Sequence, residues 1–156
     1  MPTHLQTIRT ILDRYAHYQG RLNLPGEGWE RAFRGWLVMD YLRDTLQWPS
    51  SQIFLGERFD VLLLEQDLHP VVNIETKAPE HVASSTEIRD FETRLTFYGT
   101  LRWAFFTNGN EWWRLELYAP NGRQTIRERK SLSIRTTNET IAVDYFDPLT
   151  PKHYLV

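Results

Sequence analysis

FDVLLLEQDLHPVVNIETK, residues 59–77, contains two apolar runs rich in strand-forming residues. The polar segment EQDLHP between them ends in proline, which is typical of a turn. We predict an antiparallel hairpin with a loop of about four residues, in which Glu65 pairs with Pro70. Counting back along both strands then places Asp60 directly opposite Glu75.

This register gives one face of the hairpin two carboxylates and an ammonium group. Side chains alternate along a strand, so Glu75 and Lys77 share a face and Asp60 joins them, whereas a one-residue slip would move Asp60 to the other face. Buried ionised groups are costly unless they are paired or bind a metal. Two adjacent carboxylates suit Mg²⁺, which activates bound water toward phosphoryl groups. The alternative is a structural ion pair between Lys77 and one carboxylate.

The composition limits the classes of function. A chain of 156 residues can form one domain with a core, and 18 basic against 20 acidic residues leave no overall basic field, so nucleic-acid binding would need a local patch. The absence of cysteine excludes disulfides, thiolate nucleophiles and cysteine zinc sites. No apolar run approaches the roughly 20 residues of a membrane helix, and the N-terminus does not resemble a signal peptide. We therefore expect a cytoplasmic protein without a membrane partner.

Helices are expected before and after the hairpin. A capping box predicts a helix that begins after Thr3, and Gly20 can end it. A second helix is expected over 29–47. Another capping box at Ser84 begins a third amphipathic helix, for which Gly99 is a suitable end.

The rest of the chain is richer in strand signals. Further strands are expected at 101–107, at 111–119, near 124–127 and within 130–144. Asn108-Gly109 and Asn121-Gly122 are predicted to be tight turns, and the tail from 147 is predicted to be irregular. This order of elements predicts a mixed α/β domain, a twisted sheet with helices packed on it.

The Asp60 and Glu75-x-Lys77 pattern, set in a helix–strand–strand–helix–strand order, resembles the core of the PD-(D/E)xK nuclease superfamily. More narrowly, GERFDVLLLEQDLHPVVNIETKAPE followed by FFTNGNEWWRLELY is similar to the N-terminal nuclease domain of type I restriction enzyme motor subunits. Those domains show an Asp, a Glu-x-Lys after a hydrophobic strand, and later a Thr-Asn-Gly turn that leads to Glu-Trp, here Thr107 to Trp112.

The resemblance covers roughly residues 29–118 and implies a restriction-endonuclease-like core, a central mixed β-sheet flanked by helices. It implies a single nuclease-like domain over 1–156, with a helical N-terminal part at 1–48, a catalytic core at about 53–127 and the irregular tail.

The resemblance also implies roles for individual residues. Asp60 and Glu75 would be ligands of Mg²⁺, for which Mn²⁺ would substitute, and the backbone carbonyl of Thr76 would complete the site. Lys77 would be the catalytic lysine. Glu30 matches an acidic residue on the helix before the sheet, although a first-turn glutamate also favours the helix dipole.

DNA contacts are expected from basic and aromatic residues. The family often has a glutamine followed four residues later by the tyrosine that Tyr98 matches, but Arg94 stands at the glutamine position and would either contact a phosphate or lie in solvent. The DNA-binding candidates are Arg31, Arg34, Arg94, Tyr98, Arg127 and Lys130. The last two belong to a basic stretch, 123–135, that equally fits a solvated strand edge with protective charges.

The resemblance implies a metal-dependent endonuclease domain that hydrolyses DNA phosphodiester bonds in a restriction or phage-defence system. Its partners would be DNA and the helicase or translocase and specificity modules of a restriction complex. Two alternatives remain open at this point. One is a catalytically silent nucleic-acid-binding or assembly domain with the same fold, and the other is a structural domain with a buried ion pair.

Overall fold

The structure of the chain is a computed structural model that describes residues 1–56, 59–119 and 122–156, with only the backbone of Phe97. Glu57 and Arg58, within the motif quoted above, and Asn121 of the second expected turn lie outside the described residues.

Two helical segments precede the sheet. Helix α1, His4–Gln19, begins with the capping box expected at Thr3 and ends at Gly20. Helix α2, Gly28–Trp36, continues without a break into a π-helical segment, Leu37–Thr45, so the helix expected over 29–47 is confirmed in extent. The chain leaves the helix at Gln47, which adopts a φ of 65°. None of the described helices is long and apolar enough to cross a lipid bilayer.

In the part of the chain that the structure describes, a single sheet of six strands forms the centre of the fold. In chain order, which is also their order in the sheet, the strands are β1 Ile53–Leu55, β2 Val61–Leu64, β3 Pro70–Thr76, β4 Trp103–Thr107, β5 Glu111–Tyr118 and β6 Thr125–Ser133. Strands β3 and β4 are parallel, and helix α3, Ser85–Arg94, lies in the crossover between them; the other neighbours are antiparallel. The predicted α/β class with a mixed sheet is confirmed.

Helices cover both faces of this sheet. On one face, α1, α2, the π-helical segment and the C-terminal helix α4, Glu139–Phe146, pack around residues such as Ile74 and Trp112. On the other face, Phe91 and Leu95 of the α3 region pack on Leu62 and its neighbours. Because helices cover both faces of the sheet, polar side chains can gather only at the ends of the strands.

The hairpin register is confirmed where it matters for the site. Val61 pairs with Ile74 and Leu62 with Asn73, the register that sets Asp60 opposite Glu75 at the end of the ladder. Toward the turn the prediction is wrong, because an irregularity between Leu63 and Leu64 shifts the pairing. Pro70 therefore pairs with Leu64 rather than with Glu65.

The other differences concern element boundaries. The third helix ends at Arg94 and gives way to a 3₁₀ turn, well before Gly99. Strand β1 was not expected. The strand near 124–127 extends to Ser133. The rest of the strand expected within 130–144 is wrong, because residues Glu139–Phe146 form helix α4. The Asn138 side chain caps this helix by accepting a hydrogen bond from Ile141 N–H. The tail expected to be irregular forms two 3₁₀ turns, Asp147–Leu149 and Pro151–His153.

Candidate active site

A polar cavity of about 450 Å³ lies at the carboxyl end of β3. Helix α2 contributes to it from one face of the sheet, and the ends of β2 and β3 form its floor. The residues that line it are Glu27, Glu30, Arg31, Arg34, Gly56, Asp60, Glu75 and Lys77. The fold thus gathers all four residues expected to act in catalysis, although Glu30 lies 45 positions before Glu75 in the chain.

Asp60 is fixed by two hydrogen bonds and one ion pair. Its Oδ2 accepts from the backbone N–H of Thr76 at 2.8 Å and from the Thr76 hydroxyl at 3.2 Å. Its Oδ1 lies 3.2 Å from Nη2 of Arg34. The strand end therefore holds one carboxylate oxygen, and the other faces the arginine of α2.

Glu75 is buried and meets an arginine from the opposite face of the sheet. Its Oε1 lies 3.3 Å from Nη2 of Arg94 on α3. Burial raises the pKa of Glu75, and the charge of Asp60 raises it further, while Arg94 and Lys77 act in the opposite direction. Of the two expectations for Arg94, a side chain free in solvent is wrong, because the residue pairs with the proposed metal ligand.

Glu30 and Lys77 complete the group. Glu30 lies in the first turn of α2, and its Oε1 is 3.5 Å from Nη2 of Arg34 and 4.0 Å from Nζ of Lys77. Burial raises the pKa of Glu30; the Lys77 and Arg34 charges oppose this effect and the Asp60 charge adds to it. The site thus contains three carboxylates in a partly dehydrated setting, each beside at least one cation.

The donor chemistry of this group fits a hard divalent cation. Mg²⁺ is commonly bound by one or two carboxylates together with waters, and a cation between Asp60 and Glu75 would relieve the repulsion that raises the pKa of Glu75. However, among residues 1–56, 59–119 and 122–156 no three Asp, Glu, His or Cys side chains converge closely enough to hold a metal ion as they stand. In this arrangement, Arg34 and Arg94 supply the positive charge instead.

The other DNA-binding candidates lie at different distances from the cavity. Arg31 is at its rim, largely exposed, with a long ion pair of 3.7 Å to Glu27. Tyr98 packs its ring on Phe59, with centroids 5.0 Å apart. Arg31 lies beside the cavity and Tyr98 lies beside the start of β2, so both remain candidates for DNA contact.

Arg127 and Lys130 are not brought to the cavity. Both lie on β6, three strands and so roughly 14 Å from β3. Arg127 pairs with Glu116 and lies over the Tyr118 ring, and Lys130 pairs with Glu128. Most of their charge is balanced locally, as expected for a protected strand edge.

The turn after β4 is held by its own hydrogen bonds. The Thr107 hydroxyl accepts from Gly109 N–H and donates to the Glu111 carbonyl, and the Asn108 side chain accepts from the Asn110 and Glu111 N–H groups. The turn predicted at Asn108-Gly109 is confirmed: β4 ends at Thr107 and β5 begins at Glu111, and the loop between them also includes Asn110. Trp112 is fully buried in the core.

Two features of the site were missed in the sequence. Arg34 was expected to contact DNA, but it binds Asp60 and Glu30; its spacing of four from Glu30 on a helix was the available signal. Asn73 is fully buried and donates to the Val61 carbonyl, and its Oδ1 has no partner among the described residues. An asparagine within the apolar run VVNI was the only indication of it.

Comparisons of this chain with known protein families, with curated proteins and with solved structures found no match. The geometry of the cavity is therefore the basis for any functional assignment.

Proposed function

We propose that this chain is a Mg²⁺-dependent endonuclease domain with a restriction-endonuclease-like core, acting on DNA in a restriction or phage-defence system. The observation that carries the proposal is the convergence of Glu30, Asp60, Glu75 and Lys77 on one polar cavity at the carboxyl end of β3. Burial opposes the ionisation of Glu30 and Glu75, so holding both carboxylates in this cavity costs folding free energy that the neighbouring cations must offset.

Asp60 and Glu75 would hold the cation, and Mn²⁺ would substitute for Mg²⁺. When bound, the metal supplies an activated water and stabilises charge on the phosphoryl oxygens. Lys77 would position that water or balance the charge of the transition state, since its ammonium lies in the same cavity and is partly exposed. Glu30, 4.0 Å from the ammonium, would hold Lys77 in place.

One observation favours a second candidate, a catalytically silent nucleic-acid-binding or assembly domain. Asp60 and Glu75 are each bonded to an arginine, which neutralises them without a metal. Metal-dependent cleavage separates the two candidates.

Plasmid nicking by the purified chain provides the test. We expect cleavage with Mg²⁺ or Mn²⁺, none with EDTA, and loss of cleavage in Asp60→Asn and Glu75→Gln. Lys77→Ala should reduce the single-turnover rate by roughly 10²-fold or more, with DNA affinity nearly unchanged, and Lys77→Arg should not restore it fully because a planar guanidinium does not replace a compact ammonium.

Matched controls lie outside the cavity. Glu92→Gln removes a carboxylate on α3 that pairs with Arg129, and Lys152→Ala removes an exposed lysine of the tail. Both should nick as the wild type does. Undiminished nicking in EDTA would overturn the metal mechanism, and normal cleavage by Lys77→Ala would leave the lysine as an ion-pair partner only.

A further inference from the structure

Arg34 is anchored in the cavity by three separate groups. Its Nη2 lies 3.2 Å from Oδ1 of Asp60 and 3.5 Å from Oε1 of Glu30, and its Nε donates to the Thr76 hydroxyl at 3.1 Å. These anchors belong to α2, to the chain before β2 and to β3. A guanidinium fork is suited to such simultaneous contacts.

Arg34 pairs with the carboxylate oxygen of Asp60 that Thr76 does not contact. Oδ2 already accepts two hydrogen bonds from Thr76, so Oδ1 is the oxygen available to a cation in the cavity. Nη2 of Arg34 lies 3.2 Å from Oδ1. A divalent ion bound to Oδ1 would therefore lie close to this positively charged group, and the two cations would repel each other strongly. The two cations therefore compete for one carboxylate.

We propose that Arg34 is a latch on the metal site, an inference that rests on the proposed nuclease function. In the latched state Arg34 neutralises Asp60 and Glu30 and keeps the site closed to a divalent ion. Metal binding requires Arg34 to leave Asp60. Because Arg34 lies in the cavity wall, a DNA phosphate that enters the cavity would be the next partner of the released side chain.

The latch lowers the apparent metal affinity, because part of the binding free energy is spent on displacing the arginine. It also couples the two ligands. A phosphate that binds released Arg34 favours metal binding, and by linkage the metal favours phosphate to the same degree. The isolated chain should therefore bind Mn²⁺ weakly, and removal of the guanidinium should strengthen binding.

Titration of Mn²⁺ into the DNA-free chain by calorimetry tests this inference. Arg34→Met keeps the apolar stem and removes the charge, and we expect its Mn²⁺ affinity to exceed that of the wild type by about tenfold. Arg34→Lys should lie between the two. Arg14→Met is the matched control, since it breaks another arginine–carboxylate pair, the 2.8 Å contact with Asp40, away from the cavity; it should bind as the wild type does.

The outcomes separate the latch from the nuclease proposal. Tighter binding by Arg34→Met, or binding by that variant alone, supports the latch. Equal or weaker binding, with Asp60→Asn unable to bind, overturns the latch and leaves the metal site standing. If neither the wild type nor Arg34→Met binds Mn²⁺, both proposals are overturned.

A second measurement does not depend on the methionine variant folding. The Nε–H resonance of Arg34, assigned by its loss in Arg34→Lys, should move in the wild type during a Mg²⁺ titration, because Nε leaves the Thr76 hydroxyl. A resonance that stays in place while backbone signals around Asp60 shift would overturn the latch.

Discussion

The turn at residues 107–112 and the charged cavity are neighbours in the sheet, where Thr107 of β4 pairs with Thr76 of β3. Both carry residues on which the resemblance to nucleases depends. In the turn, polar side chains bond to nearby backbone groups and Trp112 fills the core. In the cavity, burial works against ionised Glu30 and Glu75, and arginines from two helices balance them. The contacts in the turn stabilise the fold, whereas the burial of Glu30 and Glu75 costs folding free energy, which makes the cavity the place to look for function.

The largest effect is expected in the turn, from Gly109→Ala. Gly109 has a φ of 91°, and an added Cβ would lie 2.8 Å from Leu12 and 2.9 Å from Phe33. We expect the free energy of unfolding to fall by about 3 kcal/mol, from backbone strain together with overpacking.

Gly122→Ala is the control for Gly109→Ala in urea denaturation. Gly122 has a φ of 77°, but no atom of the described part of the chain lies within 4 Å of the added Cβ, so only strain applies and the loss should be about 1 kcal/mol. Equal losses in the two variants would show that the contacts with Leu12 and Phe33 relax without cost.

A paired substitution at the two threonines compares the regions directly. Thr107→Val leaves Gly109 N–H without its acceptor in a buried turn, and should lower the free energy of unfolding by about 2 kcal/mol. Thr76→Val should cost about 1 kcal/mol, because Asp60 keeps the backbone N–H of Thr76. Chemical denaturation gives both values.

Nicking assays on the same two variants then separate folding from function. Below its unfolding transition Thr107→Val should cleave as the wild type does, whereas Thr76→Val should cleave more slowly because Asp60 loses the Thr76 hydroxyl that helps to position it. The reverse pattern would contradict the division between the two regions.

A smaller effect of opposite sign is expected at Glu75. Its raised pKa means that the folded state binds a proton more tightly than the unfolded state, so ionisation of Glu75 destabilises the fold as pH rises from the ordinary carboxyl range through the raised value. Without metal, Glu75→Gln should be more stable than the wild type at neutral pH. This advantage should vanish in acid, where both side chains are neutral.

Urea unfolding of the wild type and Glu75→Gln across pH 4–8 measures this difference. Glu92→Gln, at an α3 carboxylate paired with Arg129, serves as the control and should show no such gain. If Glu75→Gln is less stable than the wild type at neutral pH, the ion pair with Arg94 stabilises ionised Glu75 by more than its burial destabilises it.

The smallest effects are expected on the far strand. We predict that the isolated chain binds DNA weakly and with little sequence preference, and that affinity falls steeply with salt because phosphate contacts dominate. Arg127→Gln and Lys130→Gln should each change affinity less than about threefold, since both cations are already paired with glutamates. Mobility-shift assays with unrelated duplexes at several salt concentrations measure both quantities.

Arg31→Gln provides the comparison for these β6 variants, because Arg31 lies at the rim of the cavity. It should weaken binding more than either β6 substitution. Tight binding of a single sequence at physiological salt would instead reveal a recognition element elsewhere in the chain.

The sequence determined the elements whose signals are local. The Thr3 and Ser84 capping boxes located the starts of α1 and α3, because a cap needs only residues within one turn. The polar turn and an assumed loop of about four residues predicted the β2–β3 register near Asp60 correctly, because the irregularity between Leu63 and Leu64 shifts only the pairing toward the turn. Helix α4 escaped prediction because it is only eight residues long and depends on tertiary packing of Ala142, Tyr145 and Phe146.

The tertiary structure alone decided the charge balance of the cavity. The sequence placed Asp60, Glu75 and Lys77 together, because they belong to one hairpin, but it could not show that Arg34 of α2 holds Asp60 or that Arg94 of α3 reaches Glu75. These contacts join residues 26 and 19 positions apart, and they depend on which helix packs on which face of the sheet. Pairing at such separations leaves no periodic trace in the chain, because it is set by the packing of whole elements rather than by local geometry.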